Sequence, residues 1–304
     1  MRQEFKWTEH QVDKLNKVLK IIEEFKAYIP LTLRQVYYQM VGKGFIDNKV
    51  SEYNMLSKLL KWARIDGYIG WDTIEDRVRV LHDGTGFSDK NQFIKQEVAN
   101  FLEGYRRDIM QTQPVYIEVW IEKDALSSIF SKISRQYGIS TIVARGFSSV
   151  TFLHDFKERV SEQMGLGKQP IMLYFGDFDP SGVEMLDSMQ ITLKDELGLD
   201  GVEFKRIALL RDDIFQYKLP HNPDALKKSD TRAKKFTQLN GNLAVELDAL
   251  RPDVLEDKIK KAIEAELDVD AFNEQVNLYN TEIDKLNALK NRVVNLINNE
   301  IRND

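Results

Sequence analysis

The amino-acid sequence predicts a multidomain protein of the α/β class, and two patterns carry that prediction. Beyond residue 113, short apolar runs with the character of strands alternate with helical stretches. The runs lie at 115–121, 140–145, 170–176 and 203–209, and the helical stretches lie at 124–137, 150–164 and 181–196. This order indicates a mostly parallel sheet whose connections are right-handed crossovers. Before residue 66, apolar residues recur at helical spacing instead, which indicates a separate helical region.

The N-terminal region contains three predicted helices. The first covers residues 8–27 and begins at an N-cap formed by Thr8, and the second opens with a capping box at 32–35. The third runs from a cap at Ser51 to Arg64, and the glycine-containing residues 66–82 that follow are consistent with a small hairpin. Three helices followed by such a wing predict a winged-helix domain, which we place at residues 1–112.

Basic side chains on the third helix are candidate DNA contacts. Lys58, Lys61 and Arg64 recur at helical spacing and line its polar side, as expected for a recognition helix that faces duplex DNA. The alternative is that these three residues form an ordinary solvated face, and charge spacing alone favours that alternative.

The remaining segments complete the predicted domain organisation. Residues 89–110 have the pattern of another amphipathic helix, and Gln-Thr-Gln-Pro at 111–114 is a candidate boundary. We place the α/β domain at residues 113–270 and a C-terminal helical extension at 271–304. Apolar residues of that extension alternate at three- and four-residue steps. The pattern fits a coiled coil between two chains or an amphipathic helix docked on its own domain, and the short heptad run favours docking.

Composition excludes several classes of protein. The chain has 304 residues, no cysteine and four scattered histidines, which excludes disulfides and cysteine-containing zinc sites and argues against a zinc hydrolase. It has no Walker A motif, no signal peptide and no apolar run of the ~18 residues that span a membrane, so we expect a cytoplasmic protein. The net charge of −5 argues mildly against nucleic acid, but residues 1–65 carry 12 Lys and Arg against 7 Asp and Glu.

Two acidic motifs follow predicted strands. Glu122 comes directly after the run at 115–121, and Asp177 and Asp179 follow the run at 170–176. Because the carboxyl ends of parallel strands share one edge of a sheet, we expect these three carboxylates to converge. Like charges repel unless a proton or a cation neutralises them, and oxygen ligands suit Mg²⁺, with Mn²⁺ as a substitute. The alternative is an N-cap at Asp179 and an ion pair between Glu122 and its neighbour Lys123.

A pair of tyrosines lies on the second predicted helix. On a helical wheel Tyr37 belongs to the apolar stripe, whereas Tyr38 falls off it and lies one turn after Arg34. A tyrosine hydroxyl has a pKa of about 10 and is a poor nucleophile without assistance. An adjacent guanidinium stabilises the phenolate and can hold a phosphate, although an Arg–Tyr pair taken alone is usually surface packing.

Taken in chain order, these motifs resemble those of the A subunit of topoisomerase VI and its meiotic double-strand-break relatives, over residues 30–250. Residues 32–38 (Thr-Leu-Arg-Gln-Val-Tyr-Tyr) resemble the segment that carries the DNA-cleaving tyrosine of that family. Glu122 and residues 177–182 (Asp-Phe-Asp-Pro-Ser-Gly) resemble the two halves of its Toprim metal site. Residues 244–250 (Ala-Val-Glu-Leu-Asp-Ala-Leu) are similar to a segment that follows the Toprim domain.

The resemblance implies a mechanism and partners. Tyr38 attacks a phosphodiester of double-stranded DNA and becomes attached to the 5′ phosphate, while Arg34 neutralises the phosphate. Asp177 and Asp179 hold magnesium, and Glu122 binds the metal or protonates the leaving oxygen. Members of the family act as homodimers in which the tyrosine of one subunit works with the metal site of the other. Strand passage there requires a separately encoded ATPase subunit, and a nucleoid-associated location is expected.

Two other functions are consistent with the same residues. A Toprim hydrolytic nuclease, as in plasmid or phage defence, uses metal-activated water and leaves Tyr38 dispensable. A non-catalytic winged-helix DNA-binding protein uses the α/β domain as a scaffold, although a scaffold does not require three carboxylates in one place. Glu246 and Asp248 either complete the acidic site or lie on the surface of a helix.

Overall fold

The computed structural model describes residues 5–75, 86–144, 149–222, 226 and 231–303. The helices and strands within these residues are α1 (Glu9–Glu24), α2 (Leu33–Gly42), α3 (Val50–Ile65), α4 (Lys90–Asn100), β1 (Val115–Ile121), α5 (Ser127–Ser134), β2 (Ser140–Val143), α6 (Val150–Gly165), β3 (Gln169–Phe175), α7 (Pro180–Ile191), β4 (Glu203–Ala208), α8 (Arg211–Gln216), α9 (Thr231–Asn240), α10 (Pro252–Glu264) and α11 (Val269–Asn303). The protein is mixed α/β, as predicted. In the described part of the chain no helix has both the length and the apolar character needed to cross a membrane.

The described residues divide into two compact units. The first unit combines residues 5–75 with those between 115 and 266, and the second combines 86–114 with 267–303. Each unit is therefore built from segments that are far apart in the chain. The domain boundaries expected after residues 112 and 270 stay predictions.

A four-stranded parallel sheet lies at the centre of the first unit, with the strand order β2-β1-β3-β4. The four predicted strands are thereby confirmed. Strands β1 and β3 are neighbours, and their pairing ends with Ile121 opposite Phe175. Large side chains such as Trp120 and Tyr174 are fully buried in the core that α6 and α7 form with the sheet. The residues that follow β1 and β3 therefore begin side by side at one edge.

The three predicted N-terminal helices are present in the first unit. Thr8 and Thr32 each form the expected capping box, at the start of α1 and α2. Helix α3 begins after Lys49 rather than at a Ser51 cap, and Lys49 makes no side-chain capping bond. Residues 66–75 form turns and one bridge between Ile74 and Leu31, without a hairpin among them. Residues 76–82 of the expected wing lie outside the described residues, so the wing stays a prediction.

The second unit joins α4 and α11. The helix expected over 89–110 is shorter than predicted and ends at Asn100. The chain turns soon afterwards, because Leu102 has a left-handed φ of 64° that a helix does not accept. Helix α11 contacts this turn region: Glu282 pairs with Arg107 at 2.7 Å and Lys290 with Glu103 at 2.6 Å. The long helix is thus docked on residues of its own chain.

Candidate active site

The ends of β1 and β3 are joined at the carboxyl edge of the sheet. The backbone N–H of Asp177 donates a hydrogen bond to Oε2 of Glu122 at 3.0 Å. Asp179 forms the N-cap of α7, as predicted, with its Oδ1 accepting from the N–H of Gly182 at 2.7 Å and Pro180 in the first turn. The capping role of Asp179 and the contact between the two strand ends are therefore both present.

Arg206 on β4 holds the backbone around Asp177. Its guanidinium donates to the carbonyl oxygens of Gly176, Asp177 and Gly182, with distances of 3.3 Å to Gly176 and 2.9 Å to Gly182. Burial lowers the pKa of Arg206, although nearby acidic groups act in the opposite direction. Arg206 cannot be recognised from the sequence, because a single arginine within a strand has no motif that marks it.

Gly182 is required by the close packing at the start of α7. A Cβ atom at this position would lie 2.4 Å from the carbonyl oxygen of Asp177 and 3.2 Å from Oε2 of Glu122. We expect Gly182→Ala to lower the free energy of unfolding by about 1–3 kcal/mol, because backbone must move to relieve the contact. Urea denaturation measures the change.

Gly165, at the end of α6, provides the matched control. A Cβ atom there would meet nothing within 4 Å. Gly165→Ala should therefore be neutral or stabilising by up to about 1 kcal/mol, because alanine favours helix. If the two variants lose the same free energy of unfolding, the loss in Gly182→Ala is not caused by the contact of its Cβ atom.

Lys123 lies among carboxylates supplied by two segments. Its Nζ is 2.6 Å from Oδ2 of Asp177, 2.7 Å from Oε2 of Glu246 and 3.5 Å from Oδ2 of Asp248. Burial favours loss of its proton, but the three carboxylates outweigh that effect and raise the pKa of Lys123. Lys123 thus pairs with these groups rather than with Glu122, which corrects the alternative considered from the sequence.

Glu246 contacts Arg34 on helix α2, which also carries Tyr38, and Lys123 at the carboxyl edge of the sheet. Its Oε2 lies 2.5 Å from Nη2 of Arg34, and its Oε1 accepts from Nδ2 of Asn222 at 2.7 Å. Burial would raise the pKa of Glu246, but the charges of Lys123 and Arg34 outweigh burial and hold that pKa at about 2. Glu246 is buried within an extended segment that leads into a short 3₁₀ turn, so it is part of the acidic site and not of a helix surface.

Tyr38 is buried, with 3% of its surface exposed. The helical wheel predicted that Tyr38 would lie off the apolar stripe. It is enclosed because the segment that contains residues 247–249 packs against α2, and the Glu246 carboxylate faces its hydroxyl inside the protein. Burial, followed by the charge of Glu246, raises the pKa of Tyr38, while Arg34 partly offsets the increase. Tyr37 is buried as predicted, and its hydroxyl lies 3.0 Å from Oδ1 of Asn48.

Asp248 is fully buried in the same cluster. Neither of its carboxylate oxygens has a hydrogen-bond partner among the described residues. Its nearest cations are Lys123, at 3.5 Å, and Arg34, at 3.8 Å. Burial raises the pKa of Asp248, and the two cations act against that increase.

We refer to Glu122, Asp177, Asp179, Glu246 and Asp248 as the acidic cluster. Burial raises the pKa of Glu122 to about 7, with the charge of Asp177 as the next cause, and burial also raises the pKa of Asp179. Excess negative charge and oxygen donors in a buried site are the chemistry that suits Mg²⁺ or Mn²⁺. Within the described ranges, however, no three Asp, Glu or His residues are grouped so that they could hold one metal ion. Lys123 contacts Asp177 instead, and the magnesium site stays a prediction.

The raised pKa of Glu122 predicts a pH dependence of stability. Between pH 4.5 and about 7 the folded protein keeps a proton on Glu122 that the unfolded chain loses. The free energy of unfolding should therefore fall by about 3 kcal/mol as the pH rises through this interval. We expect Glu122→Gln to lack that loss, so that it is the more stable protein above pH 7 and similar to the original below pH 4.5. Urea denaturation in the presence of EDTA tests this, and parallel pH profiles would contradict it.

The three basic residues of α3 have different surroundings. Lys58 and Lys61 are exposed, and the Lys61 ammonium lies 5.4 Å from the centre of the Trp62 ring. The Arg64 guanidinium is instead half-buried, 5.5 Å from the Trp71 ring, with Nη1 3.5 Å from the carbonyl oxygen of Ile74. Two of the three residues thus present their charge to solvent, and a role in DNA binding stays a prediction for all three.

No protein-family model, curated protein or solved structure matches this chain. The fold and the site define a mixed α/β protein in which a buried tyrosine, two cations and five carboxylates come together.

Proposed function

We propose that this protein cleaves DNA through a covalent tyrosine intermediate with the help of a divalent metal ion. The observation that carries the proposal is the contact between helix α2, which contains Arg34 and Tyr38, and the acidic cluster. Arg34 lies 2.5 Å from Glu246, and Glu246 shares Lys123 with Asp177. A nucleophile, a cation that can hold a phosphate and candidate metal ligands are the groups that phosphoryl transfer requires.

In the proposed reaction the phenol oxygen of Tyr38 bonds to phosphorus, and the bond from phosphorus to the 3′ oxygen breaks. The phenol proton is lost to solvent as the new bond forms, and the positive charge of Arg34 favours the phenolate. Glu122, with its pKa raised to about 7, donates a proton to the departing 3′ oxygen. Arg34, whose side chain is 41% exposed, binds a phosphate oxygen.

A metal ion is part of the proposal because the acidic cluster supplies several carboxylate oxygens that could bind it. Asp177 and Asp179 would hold Mg²⁺ or Mn²⁺, which would neutralise charge on the phosphate. Glu122 would join them as a ligand only if it is ionised, in which case it is not the proton donor. The exposed Lys58 and Lys61 are proposed to contact the backbone of double-stranded DNA. A homodimer, a separate ATPase subunit and a location at the nucleoid are proposed from the family resemblance alone. In such a homodimer the tyrosine of one subunit would act with the metal site of the other, whereas the contact that carries the proposal here lies within one chain.

The burial of Tyr38 favours a second candidate, a hydrolytic Toprim nuclease. A phenol that is 3% exposed and has a raised pKa is a weak nucleophile, because it stays protonated and is closed to DNA. In that case Tyr38 anchors Glu246, and water attacks the phosphate.

One assay separates these functions. The protein is incubated with supercoiled plasmid and Mg²⁺ or Mn²⁺, denatured, and run on a gel with and without proteinase treatment. Cleaved DNA that migrates normally only after proteolysis supports the covalent mechanism. Cleaved DNA with free ends supports the nuclease. An uncut plasmid with every metal, together with salt-dependent binding, supports the non-catalytic DNA-binding protein.

A further inference from the structure

A cavity of about 310 Å³ lies beside Tyr38 in the first unit. It is enclosed by α2, by the start of α3 and by the segments that contain Asn222 and Glu246. Its volume is near the lower end of the range for small-molecule sites, roughly 300–1,000 Å³. Arg34, Tyr38 and Glu246, which act in the proposed reaction, form one side of the cavity. The proposed reaction assigns no role to the other side, which includes Asn48, Val50 and Tyr53.

One wall of the cavity is aromatic. The ring centre of Tyr37 lies 5.2 Å from that of Tyr38 and 5.2 Å from that of Tyr53, with edge-to-face geometry in both pairs. Tyr53 is only half-buried, and Val50, which also lines the cavity, is 64% exposed. A nucleobase stacks on such rings regardless of its identity, because every base has a π face.

The other lining groups are polar and held in place. Nδ2 of Asn48 donates to the carbonyl oxygen of His221 at 2.6 Å, and its Oδ1 accepts from the Tyr37 hydroxyl at 3.0 Å. An amide side chain offers two N–H donors and two acceptor lone pairs, which exceeds the two bonds that fix Asn48. The partly exposed guanidinium of Arg34 also lines the cavity and carries the positive charge that suits a phosphate.

We propose that this cavity binds one unpaired nucleotide of the DNA substrate, with its base against Tyr53, the edge of the base at Asn48 and its phosphate at Arg34. A base within a regular duplex is stacked on both faces and cannot enter a side cavity, so the nucleotide must leave the stack. The inference rests on the proposed function, since it takes DNA as the ligand. It adds the substrate class, which is DNA that is single-stranded or locally opened at the phosphate to be cleaved.

The test measures binding and needs no cleavage. Three labelled duplexes are compared by fluorescence anisotropy in EDTA: one fully paired, one with a single unpaired nucleotide and one with an abasic residue at the same place. We expect the unpaired nucleotide to tighten binding about tenfold, because one base stacks in the cavity, and the abasic duplex to bind like the paired one. Equal binding of the three duplexes by the original protein would overturn the inference.

Variants test whether the preference for the unpaired nucleotide arises in the cavity. Tyr53→Ala should abolish it and Tyr53→Phe should retain it, because stacking needs the ring and not the hydroxyl. Tyr68→Ala is the matched control, since Tyr68 is 54% exposed and is not among the residues that line the cavity. If Tyr53→Ala does not fold, Val50→Trp fills the mouth from an exposed position and should abolish the preference as well. A preference that survives in both Tyr53→Ala and Val50→Trp would overturn the inference.

Two further outcomes are distinguishable. If a free deoxynucleoside monophosphate binds in the cavity and the unpaired duplex shows no preference, the site serves free nucleotides and the DNA assignment is wrong. If the preference is found but plasmid is never cut, the cavity assignment stands while the proposed catalysis fails. If plasmid is cut but the protein shows no preference for the unpaired nucleotide, the proposed catalysis stands while the cavity assignment fails.

Discussion

Tyr38→Phe should lose covalent attachment to DNA by roughly a thousandfold or more, because the variant lacks the attacking oxygen. The fold should survive, since Glu246 keeps its contacts with Arg34, Lys123 and Asn222. Loss of the phenol hydroxyl should change the free energy of unfolding by only about 1 kcal/mol. The measurement is the amount of labelled DNA that migrates with protein on a denaturing gel.

A tyrosine outside the site is the matched control for this experiment. Tyr116→Phe removes a hydroxyl near the start of β1 that donates to Oε1 of Glu118 at 2.6 Å. We expect this variant to form the covalent complex at close to the original level. A covalent complex formed equally well by Tyr38→Phe would exclude Tyr38 as the nucleophile and favour the hydrolytic nuclease.

Lys123→Met should lower the free energy of unfolding by about 3–5 kcal/mol in metal-free buffer, because removal of one partner leaves buried charges without compensation. The Lys123 side chain is 20% exposed, and its loss removes the ammonium closest to Asp177 and Glu246. The loss should diminish as the pH falls, since Lys123 is a main cause of the low pKa of Glu246 and its removal lets Glu246 take up a proton more readily. Urea denaturation at several pH values measures both effects.

A surface pair supplies the comparison for Lys123. Lys17 and Asp13 form a 2.7 Å ion pair on α1, with side chains that are 32% and 59% exposed. Lys17→Met should change the free energy of unfolding by less than about 1 kcal/mol. A change of the same small size in Lys123→Met would show that Lys123 does not compensate the acidic cluster. Recovery of Lys123→Met on addition of Mg²⁺ or Mn²⁺ would support cation binding at this place.

Local patterns in the sequence were sufficient to predict the sheet and the edge of the sheet on which the acidic residues lie. The positions of Glu122 and Asp177 follow from the ends of two strands, and those ends could be read from apolar runs. Helix α10 also has a readable signal, with Pro252 at its start and Leu255 and Ile259 buried at four-residue spacing. It was not predicted, because the polar composition of residues 221–270 obscured that spacing.

The interior of the site could not be predicted from local patterns. A helical wheel shows which side of α2 carries Tyr38, but it cannot show that Glu246 covers that side. Likewise the partners of Lys123 and the carbonyl contacts of Arg206 join segments that are distant in sequence. Buried polar networks depend on the complete tertiary arrangement, whereas periodicity reports only on which residues avoid water.

The long separation in sequence between Tyr38 and its carboxylate partner has a consequence for the nascent protein. Residue 246 follows residue 38 by 208 positions. At a synthesis rate of about 5–20 residues per second, Tyr38 exists for about 10–40 s before Glu246 has been made. During that time Arg34 and Tyr38 lack the carboxylate that orients them, so a partly translated chain carries the tyrosine without its site. Under the proposed function, a chain truncated before residue 246 is therefore expected not to cleave DNA.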